Sequence, residues 1–118
     1  MGLRHRVETV TGRSASDRFF TGRITIVDVR SERQFAQARV PGAMHIPLGQ
    51  LRERLPAVRG DRPIAFLCRS GHRSVLAAAR AAKHRPDVVS VEGGMNAWIA
   101  ADLPTARCYP SHSDRRTA

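Results

Sequence analysis

Residues 63–68, Pro-Ile-Ala-Phe-Leu-Cys, form an unbroken apolar run that stops abruptly at a polar, glycine-containing stretch, Arg69-Ser70-Gly71-His72-Arg73-Ser74. A strand with no polar side chain must be covered on both faces, which selects a layered sheet with helices above and below it. Four further segments read as strands: Val7-Glu8-Thr9-Val10, Ile24-Thr25-Ile26-Val27-Asp28-Val29, Ala43-Met44-His45-Ile46 and Asp87-Val88-Val89-Ser90-Val91. Helical patterns separate them. Ser31 to Ala38 opens with a serine three residues ahead of Gln34, the mark of a capped short helix. Leu48, Leu51 and Leu55 recur at helical spacing. Val75 to His84 reads as an alanine-rich helix with Lys83, His84 and Arg85 near its C-terminal end, where the dipole favours cations. Gly93-Gly94 then introduces a helix carrying Met95, Trp98 and Ile99. This alternation predicts an α/β fold, an open and mostly parallel sheet flanked by helices on both faces. Reactive groups in such sheets gather at the carboxyl ends of the strands, and Asp28 and Cys68 stand there.

A length of 118 residues points to one domain, large enough to bury a core without disulfides or metal. The domain is expected over residues 1–105, with 106–118 a polar C-terminal tail that shows no periodicity. No apolar run approaches the roughly 20 residues of a membrane-spanning helix. The basic start, Met1 to Glu8, has no apolar stretch behind it, so no secretory signal is expected, and Arg6 excludes a myristoylation motif at Gly2. Two cysteines make no disulfide framework, which leaves the cytoplasm as the expected location. The net charge of +10 comes from 20 basic residues against 10 acidic ones, all of the basic ones Arg except Lys83. With aromatics at 5% and no run of five basic residues, stacking platforms for nucleic acid are not expected. A small anionic substrate is the better use of the charge.

Cys68 carries the richest chemistry. A cysteine that ends a buried strand and precedes a short loop and a helix sits where backbone N–H groups of residues 69–74 converge with the unpaired donors of the helix start. Such a ring favours a thiolate over a thiol. Arg69 and Arg73 are expected to lower the thiol pKa further, Gly71 to allow a tight turn, and Ser70 and His72 to supply side-chain donors near the sulfur. A merely structural core cysteine would leave that concentration of arginine, glycine and helix start unexplained.

Loop length separates two chemistries. Protein tyrosine phosphatases and their relatives place five residues between Cys and Arg, wide enough for a tetrahedral phosphate. Four residues lie between Cys68 and Arg73 here, a tighter ring matched to a single terminal sulfur atom. This loop, together with Val27-Asp28-Val29-Arg30, Val40-Pro41-Gly42-Ala43-Met44-His45-Ile46-Pro47, Val91-Glu92-Gly93-Gly94-Met95-Asn96-Ala97-Trp98 and Leu103-Pro104, resembles the single-domain rhodanese, or thiosulfate sulfurtransferase, family over about residues 7–105. The resemblance implies a rhodanese-like, five-stranded open parallel sheet. It also implies covalent ping-pong catalysis, in which the Cys68 thiolate takes the sulfane sulfur of thiosulfate or a persulfide donor and passes it from a Cys68 persulfide to cyanide or a thiol. Residues Arg69, Ser70, Gly71, His72, Arg73 and Ser74 would form the binding loop. No metal or organic cofactor is required, and a protein sulfur acceptor is compatible. Two alternatives stay open, a non-catalytic rhodanese-like interaction module and a phosphatase or arsenate reductase.

The remaining residues read as support. Asp28 and Arg30 are expected to form an ion-pair network at a strand end. Glu92 and Gly93-Gly94 are expected to fix the turn into the last helix, Trp98 to pack in the core or at its rim, and His45 to be a satisfied structural histidine. His72 lies in the loop itself and is a candidate substrate contact. Ala38-Arg39 replaces the Gly-His common in the family before the Pro-Gly turn, and Val10 to Phe20 is basic where the family carries an acidic helix. Cys108, beside Arg107 alone, lacks the electropositive setting of a resolving thiol and reads as inert.

Overall fold

The computed structural model describes residues 7–107; residues 1–6, Cys108 and the chain beyond it lie outside the description. Strands β1 (Thr9–Val10), β2 (Thr25–Asp28), β3 (Met44–His45), β4 (Ile64–Leu67) and β5 (Val88–Val91) form one sheet in the order β1-β5-β4-β2-β3. Every pairing is parallel. Helices α1 (Gly12–Phe20), α2 (Glu32–Gln37), α3 (Leu51–Arg54), α4 (His72–Ala81) and α5 (Gly94–Ala100) connect the strands, and short 3-10 turns flank α3. This is the open parallel sheet that the alternation predicts. All four residues of both β2 and β4 are buried, as an apolar run covered on two sides requires.

Side chains alternate across the sheet and build two cores. Val27, Val29, Ile64, Phe66 and Cys68 pack with Leu51, Leu55, Ala77, Ala78 and Ala81 of the α3–α4 side. Ile26, Ala65, Leu67 and Val91 pack with Ala15, Met95 and Trp98 of the α1–α5 side. Trp98 is fully buried, and its indole N–H donates to the Pro104 carbonyl at 2.7 Å. The chain then returns along the molecule, where Arg39 and Ala106 exchange two backbone hydrogen bonds of 2.8 Å.

Local signals explain the helix starts. Ser31 Oγ accepts from the Gln34 N–H at 3.2 Å, the cap expected for α2. Thr11 Oγ1 caps α1 in the same way, accepting from the Ser14 N–H at 3.1 Å, so the basic stretch after Val10 is helical, with Arg13 and Arg18 on its exposed side. The alanine-rich helix α4 begins at His72, three residues earlier than its composition suggests, and ends at Ala81 rather than His84. The reason for the early start is Gly71, whose φ of +102° turns the chain directly into the helix. Lys83, His84 and Arg85 therefore lie beyond the last turn, and Arg85 donates to the carbonyls of Val58 and Arg59 instead of the helix end.

Two constraints fix the upper rim of the sheet. Asp28 is completely buried, and Arg30 meets its carboxylate through Nε at 3.0 Å, Nη2 at 2.8 Å and the backbone N–H at 2.9 Å. The same Nη2 also donates to the Ala38 carbonyl at 2.6 Å. At the other side of β4, the N–H groups of Met95 and Asn96 donate to the carbonyls of Cys68 and Arg69 at 2.7 and 3.0 Å. Gly94 has a φ of +56°, and a Cβ there would stand 2.3 Å from the Cys68 carbonyl oxygen.

Two expectations for stability follow from this rim. Asp28→Ala leaves a buried guanidinium without its counterion and lowers unfolding free energy by about 3–5 kcal/mol in denaturant titration. Gly94→Ala combines a left-handed backbone with a collision against β4 and costs about 3 kcal/mol by the same measurement. Gly49→Ala, with nothing within 4 Å of the added methyl, stays close to neutral and serves as the reference.

Candidate active site

The loop between β4 and α4 contains only Cys68, Arg69, Ser70 and Gly71 outside regular structure. Its outer carbonyls, those of Cys68 and Arg69, are taken by α5, which leaves the N–H groups of the turn to face inward. The Gly71 N–H donates to Cys68 Sγ at 3.0 Å. Ser74 Oγ lies 3.3 Å from the same sulfur and 2.7 Å from Ser90 Oγ. Because α4 starts at His72, Ser74 belongs to its first turn, where helix donors are unpaired and the dipole favours negative charge. The Cys68 residue itself is only 2% exposed.

Two opposing influences set the Cys68 thiol. Burial is the largest single one and pushes its pKa up. The Ser74 hydroxyl and the backbone N–H groups of Ser74, Gly71 and Ser70 pull it down, and together they prevail, so the thiol stands below its ordinary value. The expected electrostatic help from Arg69 and Arg73 is corrected by their placement. Both are exposed, and neither contributes to the shift. Water screens a charge in that position, whereas the amides lie against the sulfur. Among the described residues neither arginine pairs with a carboxylate, so both remain available at the mouth of the loop.

The structure does not bring every candidate residue to the sulfur. The Ser70 hydroxyl and His72 Nδ1 meet each other at 3.1 Å, on the exposed side of the loop, rather than Cys68. Asp28 pairs with Leu67 in the strand register, which puts its side chain on the α1–α5 face of the sheet, opposite Cys68. Arg30 follows it there. Their link to the loop is through backbone, since the Val29 N–H donates to the Leu67 carbonyl at 2.9 Å. His45 is held by the Arg30 carbonyl at 2.8 Å and stacks on Phe35 with ring centroids 4.3 Å apart.

Ser90 and the α5 N–H groups are the participants that sequence reasoning missed. Ser90 left a signal, a lone hydroxyl inside the apolar run Val88-Val89-Ser90-Val91. The role of α5 left a weaker one in the paired glycines, which mark a turn without saying what approaches it.

Comparison with known proteins agrees with this geometry. The rhodanese-like domain family matches residues 11–101. YtwF of Bacillus subtilis is 36% identical over 79 residues, covering 67% of this chain and 77% of its own length. A protein named sulfurtransferase from Allochromatium vinosum is 31% identical, with 83% of this chain and 94% of that protein covered. In two further curated relatives the chain spans only 42% and 41% of the length. Among solved structures, a protein of unknown function from Rhodopseudomonas palustris, described as a possible tyrosine phosphatase, superposes with a TM-score of 0.77 at 28% identity, covering 85% of each chain. Family match, relatives and loop geometry converge, and the chain belongs to the rhodanese-like domain family.

Proposed function

We propose that this protein is a sulfurtransferase that carries sulfur on Cys68. The observation that supports it best is the cradle of donors around a buried sulfur, with the Gly71 N–H at 3.0 Å and the Ser74 hydroxyl at 3.3 Å. In the first half-reaction the thiolate attacks the outer sulfur of thiosulfate. The S–S bond of the donor breaks, sulfite leaves with the electron pair, and Cys68 becomes a persulfide anion. In the second, cyanide or a thiolate attacks the terminal sulfur, forming thiocyanate or a new persulfide and returning Cys68 as a thiolate. Both halves begin and end with an anion, so the fixed dipoles of the loop serve each of them without reorganising. Exposed Arg69 and Arg73 draw the dianionic donor to the loop. A protein persulfide or thiol is an equally suitable partner, and the cytoplasm supplies both.

The tyrosine-phosphatase description of one structural relative raises the second reading. Phosphoryl transfer needs a ring that encloses a tetrahedral group, and four residues between Cys68 and Arg73 close the ring around a smaller one. The sulfur reading is therefore preferred.

Incubation with thiosulfate is expected to add the mass of one sulfur atom to the intact protein, with thiocyanate released on adding cyanide. Cys68→Ser lowers thiocyanate formation by roughly 10⁴-fold or more, as loss of a nucleophile does. Phosphatase turnover without a persulfide would reverse the assignment, and neither activity would make the domain a binding module. The thiol also has a pH signature. Alkylation of Cys68 falls as pH drops and the thiolate is protonated, and its midpoint lies below that of an ordinary cysteine thiol. Ser74→Ala removes a donor to the anion and moves that midpoint upward.

A further inference from the structure

Ser90 places a hydroxyl on the apolar sheet face that also carries Phe66 and Cys68, with only 1% of the residue exposed. Among the described residues that hydroxyl meets one partner, Ser74 Oγ at 2.7 Å, and Ser74 is itself completely buried. Cys68 Sγ, Ser74 Oγ and Ser90 Oγ thus form a short chain of polar atoms. A hydroxyl carries one proton, which fixes the arithmetic of that chain. With Cys68 as a thiol, three protons compete for two hydrogen bonds: the S–H donates to Ser74, Ser74 donates to Ser90, and the Ser90 proton has no acceptor in the chain. With Cys68 as a thiolate, two protons make two bonds, Ser90 donating to Ser74 and Ser74 to the sulfur. A buried donor without an acceptor is costly, so the chain is complete only when the sulfur has no proton. The same count holds for a persulfide, whose Sγ also carries none.

We propose that Ser90 is a positioning residue for this site, fixing the direction in which Ser74 donates and thereby keeping Cys68 deprotonated. The inference rests on the reading of Cys68 as the sulfur-carrying nucleophile and names a residue that reading does not require. Charged groups do not substitute for the hydroxyls. Arg69 of the loop, His72 and Arg73 of α4 and Glu92 after β5 are exposed, and the Asp28–Arg30 pair at the end of β2 lies on the opposite face.

The test is the pH profile of Cys68 alkylation by iodoacetamide, read by mass spectrometry on the peptide containing residue 68 so that Cys108 does not contribute. Ser90→Ala removes one atom from an apolar face and is expected to stay folded by thermal unfolding. On the acid limb of the profile its alkylation slows about threefold to fivefold, the worth of one hydrogen bond, while the high-pH plateau is unchanged. Ser90→Thr restores the wild-type profile. In a Ser74→Ala background, Ser90→Ala has no further effect, because its influence passes through Ser74. A Ser90→Ala profile that overlays the wild type overturns the proposal, as does a full-sized effect without Ser74 or a folded Ser90→Thr that restores nothing. Alkylation needs no sulfur donor. A protein that forms no persulfide would remove the functional reading and leave the Ser90 result to stand or fall alone.

Discussion

The site depends on a contact between two pieces of backbone. The first N–H groups of α5 reach the carbonyls of Cys68 and Arg69, and they can do so only because Gly94 offers no Cβ to the approaching strand end. That contact decides which way the peptide planes of the loop face. With their oxygens held on the outside, the nitrogens are left to the sulfur inside. Helix α5 is itself anchored by the buried Trp98 and its bond to Pro104. The last part of the described chain thus braces the turn after the central strand, far from it in sequence.

The electrostatics of Cys68 follow from the same geometry. Burial works against a charge on sulfur, and a buried cysteine without donors would rest as a thiol. Close, fixed dipoles outweigh that penalty here. In the proposed sulfur transfer the arginines would act by a different route, through attraction felt in solvent rather than a contact with the sulfur. Asp28 and Arg30 play a third part, holding the end of β2 from the opposite face of the sheet through a pair that is costly to break.

The sequence disclosed the architecture through periodicity and caps. Pro63 to Cys68 announced a doubly covered strand, Ser31 and Gln34 a helix start, and the spacing of Cys68 and Arg73 the shape of the loop. Each is a local signal. What stayed hidden depends on contacts between distant segments. The true start of α4 is set by a left-handed Gly71 rather than by the alanine content that follows it. The arginines beside Cys68 in sequence turn outward in space, so adjacency along the chain overstated their influence. Ser90 sits on a strand 22 residues downstream of the cysteine, and only the register that sets it beside Phe66 reveals its partner.

On the proposed function, holding a charge and attracting one fall to different parts of this loop. Backbone and two inward hydroxyls do the first, and freely exposed side chains at Arg69 and Arg73 do the second. Variation can therefore act on them independently: the outer pair can be exchanged to favour another donor while the reacting atom keeps its surroundings. A scaffold divided in this way lends itself to diversification, because selectivity can drift without passing through an inactive ancestor.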